Sequence, residues 1–103
     1  MATNYVVLYK GGMGPEGRSE EEVQKVMAAW GAWYEKLGPA IVDGGNPFSQ
    51  SIALTSDGTT DTSGITGYTI ISADDLAGAQ AAVKDHPHMD EGGTVEVYET
   101  FEM

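Results

Sequence analysis

The stretch from Ile65 to Glu99, ITGYTIISADDLAGAQAAVKDHPHMDEGGTVEVYE, constrains the fold most, because it reads as strand, helix and returning strand. Ile65 to Ser72 is rich in β-branched and aromatic residues, which suit a pleated strand. Ser72 opens S-A-D-D, a capping-box-like start, and Asp74 and Asp75 favour the positive end of the helix that follows. Leu76, Ala79, Val83 and His86 recur at helical spacing and form one narrow face. Pro87 is expected to stop that helix. Gly92-Gly93 then turns the chain into a second strand, Thr94 to Phe101, with Val95 and Val97 on one side. Such a unit is half of a split βαβ sandwich.

The residues before it supply the other half. Asn4 to Lys10 (NYVVLYK) is a strand with Val6 and Leu8 on one side and Tyr5, Val7 and Tyr9 on the other. The glycine-rich segment 11–17 holds neither G-x-x-x-x-G-K-[ST] nor G-x-G-x-x-G, so it reads as a connection and not as a phosphate loop. Ser19 caps a helix opened by Glu20-Glu21-Glu22, with Val23, Val26, Met27, Trp30, Trp33, Tyr34 and Leu37 as its apolar stripe. Gly38-Pro39 ends it. Ala40 to Phe48 begins as a strand at Ile41-Val42 and breaks at Asp43-Gly44-Gly45-Asn46-Pro47. A short strand lies within Gln50 to Thr55, and Asp57-Gly58 marks a hairpin turn. The predicted fold is α+β: one domain over 1–103, a ferredoxin-like βαββαβ sandwich with an extra hairpin strand.

Two helices cover one face of such a sheet. If Val6, Leu8, Val95 and Val97 face the helices, the bare face carries Tyr5, Val7, Tyr9 and Tyr98, with Tyr68 and Ile70. An aromatic face of this kind is costly to leave wet, so a homodimer is predicted. A one-residue slip in register would exchange the two faces.

The formal net charge of −11, from five basic and sixteen acidic side chains, argues against nucleic-acid partners. No apolar run approaches a membrane span. The first residues, MATNYVVLYKGG, lack a basic segment followed by a long apolar run, so no export leader is expected and the cytoplasm is the default. With no cysteine there is no disulfide, thiolate metal site or cysteine nucleophile.

The chain resembles the YCII-related family, which includes DGPF-type members. The resemblance rests on YVVLYKG, VMAAWGAWYEKLG, VDGGNPF, GYTIISADDLAGAQAAVKDHP and GGTVEVYE in that order. It implies ferredoxin-like subunits that pair as a dimeric α/β barrel. It departs from the family in two places: TTDTSG stands where the DGPF tetrapeptide would be, and residues 19–37 contain no histidine. The first-helix histidine and acidic partner of some YCII-type members therefore have no counterpart here.

Both histidines fall in His86-Pro87-His88. His86 reads as a helix-end or core histidine, or as a titrating group in a site. His88, after the proline, is expected at the surface. His86, His88 and Asp90 are chemically suitable metal ligands, but no second ligand motif supports them, and neither metal nor cofactor is assigned. Asp43, beside two glycines, stabilises a turn or projects into a pocket. The candidate site combines His86 and Asp43 as catalytic groups with Trp30, Asn46 and Tyr68 as ligand-binding residues. It would bind a small metabolite in a cleft between helices and sheet, with or without transforming it. Two other classes fit the same sequence: a non-catalytic dimeric interaction module, and a cofactor-independent oxygenase-like enzyme.

Overall fold

The computed structural model describes residues 2–11 and 19–101. The glycine-rich connection at 12–17 lies outside them. The elements run β1 (Thr3–Gly11), α1 (Glu20–Leu37), β2 (Ile41–Asp43), β3 (Ala53–Thr55), β4 (Gly58–Thr60), β5 (Ile65–Ala73), α2 (Leu76–Val83), α3 (Pro87–Asp90) and β6 (Gly93–Glu99). Four strands form an antiparallel sheet in the order β2-β5-β1-β6, and β3 and β4 pair separately. Without the β3–β4 hairpin this is the strand order of a ferredoxin-like sandwich: each β-α-β unit is split by a strand of the other. The described strands form no closed barrel. None of the described helices is long and apolar enough to cross a membrane.

The termini of α1 follow from its sequence. Ser19 Oγ accepts the Glu22 N–H at 3.2 Å, three glutamates occupy the positive first turn, and Lys36 sits in the last. Gly38 closes the helix at φ 53° with its N–H on the Tyr34 carbonyl, and Gly38–Ala40 adds a short 3-10 turn.

The sheet register reverses the assignment of faces. Tyr5, Val7 and Tyr9 are buried beneath the helices, opposite Ile71, Thr69 and Gly67 on β5 and Glu99, Val97 and Val95 on β6. Val6, Leu8, Tyr68, Ile70 and Tyr98 share the other face. Val95 and Val97 do face the helices, but beside the tyrosines. Apolar alternation is symmetric in YVVLY, so hydrophobicity alone does not choose a side. Polar neighbours decide it. The Tyr5 hydroxyl reaches the Glu99 carboxylate at 2.8 Å and the Tyr9 hydroxyl reaches Thr69 Oγ1 at 2.7 Å, so both rings are buried with their hydroxyls satisfied.

Three local expectations also change. The N-cap of α2 is Asp75, whose Oδ1 accepts the Gly78 N–H at 2.7 Å, and Ser72 remains in β5. Leu76, placed on the buried face, is 51% exposed. Pro87 starts α3 rather than ending α2, which stops at Val83. Proline at the first helical position forfeits no hydrogen bond, since its missing N–H would have had no intrahelical partner. Trp33 joins the helices to each other: its ring is buried against Tyr5, Val7, Ala79 and Val83 in one cluster, and its Nε1–H donates to the Ala82 carbonyl at 3.0 Å.

Candidate functional site

A cleft of about 630 Å3 opens between α1 and the strand ends of β1 and β5. Its helical wall comes from Val26, Met27, Trp30, Gly31 and Tyr34, one side of the apolar stripe on α1. The stripe is therefore divided. Trp33 enters the core, while Met27, 68% exposed, stays at the mouth.

The opposite wall is the segment after β2, held down along β5. Pro47 bridges Gly67, and the Phe48 N–H donates to the Thr66 carbonyl at 2.8 Å. The turn begins at Asp43, whose Oδ1 accepts the Gly45 N–H at 2.8 Å. Gly45 has φ 76°, and a Cβ there would overlap the Tyr68 carbonyl, so any side chain would lift the segment off the strand.

A hydrogen-bonded chain ties the two walls. The Tyr9 hydroxyl pairs with Thr69 Oγ1, and Thr69 Oγ1 donates to the Gly44 carbonyl at 3.2 Å. The Tyr34 hydroxyl donates to the same carbonyl at 3.0 Å. Burial pushes the Tyr9 phenol well above its ordinary range, so it remains a neutral donor.

The histidines have distinct places. His86 is 1% exposed and packs against Trp33 (ring centroids 4.3 Å), Trp30 (4.5 Å) and Tyr9 (4.8 Å). Its Nδ1 accepts the His88 backbone N–H at 2.9 Å, capping α3. An accepting Nδ1 leaves the proton of the neutral ring on Nε2, which is the buried side-chain nitrogen without a hydrogen-bond partner among the described residues. Burial, and secondarily the neighbouring His88, push the His86 pKa down to about 4, with Asp85 opposing. His86 therefore stays neutral near pH 7.

His88 is buried, contrary to the expectation of a surface position, because α3 turns its side chain back onto β1. Its Nε2 lies 3.1 Å from the Lys10 carbonyl, and a carbonyl only accepts, so Nε2 carries the proton. Gly93 makes room for the ring: a Cβ there would collide with Nε2, Cδ2 and Cε1.

Of the residues singled out from sequence, Trp30, Asn46 and Tyr68 border the cleft. Strand alternation puts the Tyr68 side chain on the far face, where it stacks on Phe48 at 5.7 Å. Asp43 and His86 are not among the lining residues. Asp43 holds the wall's turn, and His86 stands behind Tyr9 and Trp30. Tyr9, Tyr34 and His88 line the cleft without having been picked out. The reversed sheet face hid Tyr9, and the proline masked His88. No Asp, Glu, Lys or Arg side chain lines the cleft among the described residues. Nor do those residues gather three His, Asp or Glu side chains that could hold a metal ion.

No family model matches the chain, and no curated protein is significantly similar to it. Solved structures do resemble it. One is 5-chloro-2-hydroxyhydroquinone dehydrochlorinase from Burkholderia phenoliruptrix AC1100, determined in complex with 2,5-dihydroxybenzoquinone. The two are 22% identical over 96% of this chain and 93% of that one, with a TM-score of 0.54. A likeness at that identity concerns the backbone, and it shows a shared fold. This chain shares the ferredoxin-like α+β fold of that enzyme.

Proposed function

We propose that the protein binds, and chemically transforms, a flat, uncharged, hydroxylated aromatic molecule in the cleft between α1 and the sheet. The observation that carries this reading is the cleft itself. It has a volume typical of a small-molecule site, aromatic walls from Tyr9, Trp30 and Tyr34, and no Asp, Glu, Lys or Arg among its described lining residues. Trp30 offers a face for stacking, Asn46 offers hydrogen bonds, and the Tyr34 hydroxyl oxygen, whose proton goes to the Gly44 carbonyl, can only accept. On a chain of net charge −11, with no cation among the described lining residues, an anionic ligand gains little. The fold neighbour acts on a hydroxylated benzene, which favours an enzyme over a passive interaction module, though only by analogy of fold. Asp43 and His86 serve the site indirectly, by holding the wall segment and α3.

Calorimetric titration with hydroquinone, catechol, cyclohexanediol and benzoate tests the reading. The two phenols are expected to bind at least about tenfold more tightly than the saturated diol or the anion, a difference of about 1.4 kcal/mol. Equal affinities, or a preference for benzoate, would count against it.

The working form is proposed to be a cytoplasmic homodimer. The open sheet face carries Val6, Leu8, Tyr68, Ile70 and Tyr98 with no helix over it, and a second sheet would cover it.

A further inference from the structure

We propose that His88 is the proton acceptor of the cleft, taking a hydroxyl proton from the bound aromatic molecule through Nδ1. This rests on the aromatic-ligand reading above, and adds to it a named group and a direction of proton transfer. The ring is fixed at two points, and the backbone that carries it at a third. Its Nε2–H is spent on the Lys10 carbonyl, 3.1 Å away. Gly93 packs so closely on the Nε2–Cε1–Cδ2 edge that no Cβ would fit. Its backbone N–H is held by His86 Nδ1 at 2.9 Å. With Nε2 committed as a donor, the neutral ring presents Nδ1 as a lone-pair acceptor.

His88 lines the cleft, and among the described residues its printed hydrogen bonds use Nε2 and the backbone N–H, which leaves Nδ1 for a ligand. Tyr9 and Trp30 flank the ring at centroid distances of 5.4 and 6.2 Å, so a flat ligand stacked on Trp30 would bring its edge toward the imidazole. Asn46 aside, whose amide is no base, the hydroxyls nearby have spent their protons: the Tyr34 hydroxyl and Thr69 Oγ1 donate to the Gly44 carbonyl, and Thr66 Oγ1 donates to the Tyr9 carbonyl at 3.2 Å. A general base must lie within hydrogen-bond reach of the proton it takes. His88 Nδ1 is the nitrogen lone pair that the cleft provides for this. In the step, the ligand's O–H bond breaks, its electron pair stays on oxygen, and a new N–H bond forms at Nδ1. The ligand becomes a phenolate beside an imidazolium whose second N–H still points at the Lys10 carbonyl. No electrons leave the pair, and the proton returns to solvent on release.

The probe is para-nitrophenol, whose phenolate absorbs at longer wavelength than the phenol. Below the free phenol's own ionisation, binding to the wild type is expected to produce the phenolate band. His88→Phe keeps a ring against Gly93, and with the probe at saturation the bound probe should show no phenolate band. If His88→Phe fails to fold, His88→Gln, which retains a donor for Lys10, serves in its place. Nitrogen-15 spectra of wild type give an independent reading: His88 Nδ1 should resonate as an unprotonated nitrogen in the free protein and as a protonated one with the probe bound. Binding without the phenolate band, or an undiminished band in the folded variant, overturns the proposal while leaving the aromatic cleft standing. Failure of the wild type to bind the probe in the cleft overturns both.

Discussion

His86 and His88 are two residues apart and bond in opposite senses: His86 accepts through Nδ1, and His88 donates through Nε2. His86 is enclosed by Trp30, Trp33 and Tyr9, and its neutral form is favoured by burial, with a pKa lowered to about 4. In the unfolded chain an imidazole gains its proton near pH 6.5, so between those values the unfolded state binds the extra proton. The stability that His86 contributes by staying neutral is therefore complete above about pH 6.5 and falls as the pH drops toward about 4. The total is on the order of 3 kcal/mol. Acidification also relieves the repulsion of a chain with net charge −11, so the effect is read as a difference between two proteins. His86→Asn retains an acceptor for the His88 N–H but does not titrate in this range. Its unfolding free energy, from urea melts across this window, is expected to depend less steeply on pH than that of wild type. Parallel curves would mean that His86 is not the buried neutral group described.

Among the elements, α1 shows how one stripe of sequence can serve two purposes. Its Trp33 side closes the core, and its Val26–Trp30–Tyr34 side forms a cleft wall. Helical periodicity revealed the stripe but not its division, because a helix standing partly off the sheet satisfies the same pattern. Gly31 lies mid-helix in this wall, and a Cβ there would meet nothing within 4 Å. Gly31→Ala is expected to raise stability by roughly 0.5–1 kcal/mol through helix propensity alone. Gly31→Leu should still fold and should weaken hydroquinone binding at least about tenfold by filling the cleft. Thermal melts and calorimetry on the two variants separate these effects; unimpaired binding by Gly31→Leu would move the ligand elsewhere. The elements of the βαββαβ plan, the Ser19 cap and the Gly38 stop were legible in the sequence because each rests on local chemistry. The face of β1 was not, since Tyr5–Val7–Tyr9 and Val6–Leu8 are equally apolar and the choice lies with Thr69 and Glu99, both distant in sequence. The exposure of His88 was misjudged for a related reason: Pro87 can end one helix or begin another, and packing of α3 on β6 decides between them.

At the scale of the whole molecule, the described helices pack on one side of the sheet only. The face bearing Val6, Leu8, Tyr68, Ile70 and Tyr98 is the surface on which a dimer would close, and the tyrosine hydroxyls there suit an interface that is apolar at its centre and polar at its rim. Sedimentation at micromolar concentration should give a dimer of the 10.9 kDa chain, and Leu8→Lys, which places charge at the centre of that face, should yield monomer. A wild-type monomer would leave the face without its proposed partner. The cleft opens on the opposite side of the sheet, so ligand binding and assembly can be altered separately. The most direct test of the cleft is a chemical-shift titration of the nitrogen-15-labelled protein with hydroquinone. Saturable shifts confined to the Trp30 indole, the Asn46 amide, the Gly67 backbone and the His88 ring are the expected result; shifts confined to the open sheet face, or none up to about 10 mM ligand, where even a millimolar complex would be mostly formed, would contradict a binding site between α1 and the sheet.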